Sequence, residues 1–271
     1  MNCKGRLLVI DKPLVMGIIN VTPDSFFEGS RFNDDEIINK AEKMLQDGAD
    51  IIDIGGQSTR PGSDLILPDE EIKRVVPAIK TITQKFPQAF ISIDTFYSEV
   101  AKAAVEAGAS IVNDISGGGM DNEMIRTVAG LKVPYVLMHM KGTPQNMQQN
   151  AVYENVVREV LDFFIAKTHE LKTEGVTDVI IDPGFGFAKT IEHNFRLLKE
   201  LSVFKMLGKP LLLGVSRKST IYKTLGINAN DALNGTTVLN TIGLMNGASI
   251  LRVHDVKEAR EAITLVSTMN K

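Results

Sequence analysis

Asn20, Asp53, Asp94, Asn113, His139, Asp182, the pair Arg217 and Lys218, and the pair Arg252 and His254 share one placement. Each stands at or just past the end of a short apolar run, and the runs cover residues 14–19, 51–54, 90–93, 110–112, 134–138, 178–181, 210–213 and 248–253. A carboxylate that directly follows an apolar run is partly desolvated and must be paired or hydrogen-bonded. Asp94 and Asp182 can accept from the N–H groups of a nitrogen heterocycle, and Asn113 can both donate and accept. Helix capping is the alternative use of such acids. Arg217, Lys218 and Ser219 fall where a strand turns into a helix, a place that favours anions. Arg252 and His254 add a second cationic pair, and His254 offers either a proton or a cationic hydrogen bond. Acids on one side and cations on the other suit a condensation that expels an anionic leaving group.

Elements must bring these groups together. Helical patterns of ten or more residues separate most of the runs. Ile37, Ile38, Ala41, Met44 and Leu45 keep one apolar face before Gly48, and Ile72, Val75, Val76, Ile79 and Ile82 do so before Pro87. The longest pattern spans 152–174, and two more span 231–246 and 256–270. Eight alternations of strand and helix predict a single α/β domain over residues 1–271, a (β/α)8 barrel with a parallel eight-stranded core. Reactive groups of that fold gather at the carboxyl ends of the strands. Four segments repeat one grammar, GADIIDI, GASIVND, GVTDVIID and GASILRV, which favours equivalent units over two unrelated halves. Residues 5–10 read as an extra strand before the barrel.

Composition narrows the partners. With 30 basic against 33 acidic residues the net charge is −3, so no global field draws the chain to nucleic acid or a membrane surface. Cys3 is the only cysteine, which rules out an intrachain disulfide and fits a reducing compartment. The opening MNCKGRLLVIDKP lacks the pattern of a signal peptide, and no apolar stretch has the length of a membrane span, so a cytoplasmic enzyme is expected. Covalent catalysis has little to work with. There is no GxSxG elbow and no HExxH, and the one candidate nucleophile is Lys218 as a Schiff-base lysine. His139 lacks metal-ligand spacing, and His169 and His193 read as surface residues. The P-loop spacing is absent as well.

The loops after the strands are rich in Gly and Pro. Asn20 opens NVTPDSFFEG, where its amide can ligate a hard cation such as Mg²⁺ or cap a turn. GGQSTRPG at 55–62 combines paired glycines with Arg60, a forked donor suited to phosphate or carboxylate, although a plain surface loop uses the same residues.

NVTPDSF, GGQSTRPG, IDTF, NDISGG, DPGFGF, SRKS and RVHD occur in that order between Met16 and Asp255. In this the chain closely resembles dihydropteroate synthase of bacterial folate synthesis, a (β/α)8 barrel and homodimer. That family condenses 6-hydroxymethyl-7,8-dihydropterin pyrophosphate with 4-aminobenzoate and releases pyrophosphate. The resemblance implies that Asp94, Asn113 and Asp182 read the pterin edge, with Lys218 on the ring, Ile115 and Met138 packed beside it, and Gly214 among the substrate-binding residues. It implies a pyrophosphate site at Arg252, His254 and Asn20, with Asn20 also on Mg²⁺. Thr59 and Arg60 would belong to a second mobile loop, and Phe187 and Ser219 to the aminobenzoate and sulfonamide site. Gln57 departs from the Glu that many members carry. A pterin-binding methyltransferase barrel that uses methyltetrahydrofolate is the alternative, and a non-catalytic pterin-binding protein is a second.

Overall fold

Period-two alternation decides where every strand residue goes. A computed structural model of the chain describes residues 1–21, 32–57 and 65–269. A hairpin of β1 (Asn2–Cys3) and β2 (Arg6–Leu7) precedes eight parallel strands: β3 (Leu14–Asn20), β4 (Ile51–Gly55), β5 (Phe90–Asp94), β6 (Ile111–Asp114), β7 (Tyr135–Met138), β8 (Val179–Asp182), β9 (Leu212–Leu213) and β10 (Ile250–Val253). Their order is β8-β7-β6-β5-β4-β3-β10-β9, and a parallel bridge from Ile181 to Leu211 joins the two ends into a nearly closed barrel. β9 is short. Pro210 has no N–H to give the ladder, although its carbonyl still accepts from Ile181 at 3.0 Å. The eight expected runs all become barrel strands.

One parity of residues faces the helices. Val15, Ile52, Ile54, Ile91, Ile93, Val112, Leu137, Ile181, Leu213 and Val253 are buried in the larger core, which also takes the inner faces of the helices. The other parity lines the barrel, and its chemistry changes along each strand. Leu14, Met16, Ile51, Ile111, Val136, Ile180, Leu212 and Ile250 form an apolar floor. Two residues further along come Asp53, Asn113, Asp182 and Arg252. The floor is closed from below by Cys3 and Leu8 of the hairpin region, both buried against it. That gives the N-terminal strand pair a function the sequence did not disclose. Burial also raises the Cys3 thiol to about 11, which makes it a packing residue.

The helices are α1 (Phe32–Gln46), α2 (Pro68–Lys85), α3 (Ser98–Ala107), α4 (Met124–Leu131), α5 (Val156–Thr173), α6 (Ile191–Lys199), α7 (Ser219–Leu225), α8 (Leu233–Met245) and α9 (Val256–Met269). The repeated Gly-containing grammar is a repeated cap. Gly48, Gly108, Gly175 and Gly247 all have φ between 91° and 129°. In each case the next residue's N–H reaches back to a helical carbonyl, as Ala49 does to Met44 and Ala109 to Ala104. Two helices are shorter than their patterns. α5 starts at Val156, because the Asn155 side chain accepts from Arg158 N and caps it there. α8 starts at Leu233, after a 3-10 turn over Ala229–Asp231. No described helix is long and apolar enough to cross a membrane.

The floor is a stability element distinct from the polar layer above it. Ile180→Ala removes a fully buried side chain two residues below Asp182 and is expected to cost about 2–5 kcal/mol in urea unfolding. A loss below about 0.5 kcal/mol would contradict this packing.

Candidate functional site

Strand register sets Asn20 beside Gly55, Gly55 beside Asp94, and Asp94 beside Asn113, while Met138 pairs with Asp182. Asn20, Asp94, Asn113, Asp182, Lys218 and Arg252 therefore converge at the carboxyl rim, as expected. Two glycines keep the mouth open. A side chain at Gly55 would begin 3.7 Å from both Asn20 Oδ1 and Asp94 Oδ2, and one at Gly214 would begin 3.8 Å from Lys218 Nζ and 3.9 Å from Asp182 Oδ2.

Arg252 organises the centre. Its Nε donates to Asp53 Oδ2 at 2.6 Å and its Nη2 to Asp94 Oδ2 at 2.5 Å. Asn113 Nδ2 also donates to Asp53 Oδ2, at 3.1 Å. Asp53 is fully buried, and Asp53 Oδ1 and Asp94 Oδ1 have no hydrogen-bond partner among the described residues. No described residue engages Arg252 Nη1. Although burial works against its charge, Asp53 and Asp94 hold the guanidinium above the usual arginine range. Burial lifts the Asp94 carboxyl to about 7, with Asp53 adding to that rise and Arg252 opposing it. Burial likewise raises Asp182, against Lys218, and its Oδ1 accepts from Gly184 N at 2.8 Å. Burial lowers the Lys218 ammonium to about 8, with Asp182 opposing.

Around this centre sit apolar and aromatic walls. Ile115 and Met138 pack with Phe96 in a small buried cluster, and Phe187 lies half-buried against it. Lys218 Nζ stands 4.7 Å from the centre of the Phe187 ring and donates to Phe185 O at 2.5 Å. Ser219 opens α7. His254 is exposed at the rim, and its backbone N–H donates to Ser216 Oγ at 3.2 Å. The Ser216 hydroxyl also lies 3.0 Å from His254 Nδ1, and when that hydroxyl donates, the ring proton sits on Nε2. Desolvation first, and then the Arg252 charge, move the His254 pKa below its ordinary value.

Some expectations change. Arg217 is a clamp rather than an anion binder: Nε and Nη2 grip Asp255 at 2.9 and 2.8 Å, and Nη1 donates to Asn230 O at 2.7 Å. It bears this at φ 55°. His193 is no simple surface residue; it forms a capping box with Thr190 and packs edge-on against Tyr153. Thr59 and Arg60 lie outside the described residues, as does most of both loops that carry them and NVTPDSF. Gln57 is buried, and its Oε1 accepts from Ile66 N at 3.3 Å.

Three buried acids went unassigned in the sequence. Asp53 sits inside β4 on the lining parity, and that position was the available signal. Asp114 accepts from Ser116 N and Oγ, Gly118 N and Tyr135 Oη at 2.7–2.8 Å, and so shapes the loop that carries Ile115. Glu71 of α2 accepts from Thr95 Oγ1 at 3.2 Å and lies fully buried behind Asp94.

Acids, an amide and cations at one rim of a barrel are the donor and acceptor set that suits a polar heterocycle beside an anion. The profile described as pterin binding enzyme matches residues 16–254. Over 266 residues the chain is 40% identical to dihydropteroate synthase of Escherichia coli, covering 97% of this chain and 94% of that protein. It is 42% identical to the folic acid synthesis protein fol1 of Schizosaccharomyces pombe, of whose length it spans only 37%. Among solved structures, it superposes on dihydropteroate synthase of Yersinia pestis in complex with a sulfonamide drug with a TM-score of 0.94 and 38% identity, covering 100% and 98% of the two chains. Xanthomonas albilineans dihydropteroate synthase with 4-aminobenzoic acid gives 0.92 and 37%, covering 99% and 97%. The chain belongs to the dihydropteroate synthase family of pterin-binding enzymes.

Burial, with the Asp94 charge adding to it, raises the Glu71 carboxyl from 4.5 to about 8. The folded state thus keeps a proton that the unfolded chain releases, and stability falls as pH rises through that window. Glu71→Gln removes the penalty. Its stability relative to the parent is expected to grow by at least about 1 kcal/mol between about pH 5 and about pH 8 in urea titrations. A pH-independent difference would show that Glu71 titrates normally.

Proposed function

We propose that this chain condenses 6-hydroxymethyl-7,8-dihydropterin pyrophosphate with 4-aminobenzoate to give 7,8-dihydropteroate and pyrophosphate. One observation carries the reading most directly: two carboxylates and an amide, Asp94, Asp182 and Asn113, meet Lys218 and Arg252 in a buried polar layer over an apolar floor. The Asp94 and Asp182 oxygens suit the donor edge of the pterin, while Lys218 suits a ring acceptor and Ile115 and Met138 its faces. The relatives named above favour this over the methyltetrahydrofolate barrel.

Arg252 Nη1, which no described residue engages, and a ring N–H of His254 suit the pyrophosphate. The C–O bond at the pterin methylene breaks and its electron pair leaves with pyrophosphate, where these donors meet the growing charge. The Asp94 carboxylate steadies the cation that remains. The amine of 4-aminobenzoate then forms the new C–N bond and gives up a proton. Phe187 supplies the wall of its pocket, and Ser219 suits its carboxylate. Sulfonamides, which mimic it, would use the same place. Arg60 and Thr59 are proposed to complete the site from their loop.

Among the described residues no group of three or more His, Cys, Asp or Glu could hold a metal ion. A donor set of Asn20 alone fits Mg²⁺ shared with pyrophosphate oxygens and water, since Mg²⁺ tolerates few protein ligands. When bound there, the ion would neutralise charge on the leaving group. A homodimer is also proposed. Val238, Ile242 and Met245 form an exposed apolar stripe on α8 that a second copy would cover. The lone buried Cys3 fits the cytoplasm.

The reading is tested by incubating the purified chain with both substrates and Mg²⁺. Dihydropteroate and pyrophosphate are expected in equal amounts, and Arg252→Ala should lower kcat/KM by at least about a hundredfold. Pterin binding without any pyrophosphate release would contradict the reading.

A further inference from the structure

The segment after β8 carries Phe187, and two lysines hold it from opposite sides. Lys218 Nζ donates to Phe185 O at 2.5 Å, and Lys189 Nζ donates to Phe187 O at 3.0 Å. We propose that Lys189 is a positioning residue for the second substrate, stapling this segment to the end of β7 so that Phe187 stands under Lys218. The inference rests on the reading of Phe187 as a wall of the aminobenzoate pocket.

Lys189 is a cation at 3% exposure with no carboxylate within salt-bridge distance among the described residues. Burying such a charge is costly unless its donors are all answered. They are answered by three acceptors, one for each ammonium proton: His139 Nδ1 at 3.0 Å, His139 O at 3.2 Å and Phe187 O at 3.0 Å. His139 must then offer its Nδ1 lone pair and carry its own proton on Nε2. Burial first, and then the Lys189 charge, hold that imidazole neutral, far below its usual pKa. Burial also lowers Lys189 to about 7, with Asp182 as the opposing charge.

The staple leaves no slack. Gly184 has φ 71°, and a side chain there would lie 2.1 Å from His139 O, so the segment rests directly on the β7 end. Gly186 N donates to Asn194 Oδ1 at 2.8 Å, which fixes the far side to α6. Phe187 itself is held at two backbone atoms: its N–H donates to Gly184 O at 3.1 Å within the segment, and its carbonyl, the backbone atom tied to a side chain, belongs to Lys189. A methionine would fill the same volume without the directional bonds.

The test compares the parent full-length chain with Lys189→Met, His139→Leu and His139→Asn. It reads KM for 4-aminobenzoate, calorimetric affinity for 4-aminobenzoate with pterin, pyrophosphate and Mg²⁺ present, and calorimetric affinity for the pterin alone. Lys189→Met and His139→Leu are expected to weaken 4-aminobenzoate about tenfold or more, with pterin affinity moved by much less. His139→Asn keeps an acceptor close to the Nδ1 position and should stay within about threefold of the parent. Unchanged 4-aminobenzoate values, or an equal loss in both ligands, would overturn the positioning role. Should Lys189→Met not fold, equal behaviour of the Leu and Asn variants at 139 would overturn it instead. A parent that binds no 4-aminobenzoate at all overturns the functional reading itself, and the proposal with it.

Discussion

Arg252 cannot sit inside a barrel without an answer to its charge, and the rest of the site is arranged around that answer. Asp53 of β4 and Asp94 of β5 approach it from neighbouring strands, and Asn113 of β6 holds the same Asp53 oxygen from the far side. Removing one partner of a buried ion pair typically costs about 3–5 kcal/mol, because the remaining charge stays buried. The arrangement holds more acid than it needs for balance. Asp94 therefore keeps a buried oxygen, Oδ1, with no hydrogen-bond partner among the described residues, in a site that also contains Asp182 and Lys218.

Burial explains the titration behaviour, and the neighbouring charges only adjust it. Burial pushes Asp94 towards neutrality from below and Lys218 from above, to about 7 and about 8. Near neutral pH, protons can redistribute cheaply among these groups when a ligand arrives, whether it brings N–H donors or an anion. The sign follows from the directions. The raised carboxylates cost stability as pH climbs to about 7, whereas the lowered lysine contributes a gain as pH climbs past about 8.

Much of this was legible in the residues. The alternation of apolar runs and helical stripes foretold the barrel, and polar residues at run ends foretold the rim, because a barrel exposes strand ends and buries strand middles. Asp53 shows where that logic stops. It is the middle residue of β4, and although its parity was readable, its partner Arg252 stands 199 residues away in the chain, so only the folded barrel shows what it holds. Arg217 failed for a related reason. Its neighbours in sequence suggested an anion, but Asp255, 38 residues on in the chain, meets it from just past the end of β10, the strand that pairs with β9. Lys189 and His139 carried no motif, since their pairing depends on how the β8 segment folds back over β7. The hairpin plug of Cys3 and Leu8 is likewise a contact between distant parts of the chain.

Pterin affinity of the Asp53→Asn variant is the most direct test of this account. With Asp53 neutral, Asp94 becomes the sole counter-ion of Arg252 and is drawn away from the ligand. Calorimetry should then show pterin binding weakened about tenfold to a hundredfold in a chain that remains folded. Parent-like affinity in the folded variant would show that Asp94 faces the pterin without help from Asp53, and the arrangement described for Arg252 would be wrong.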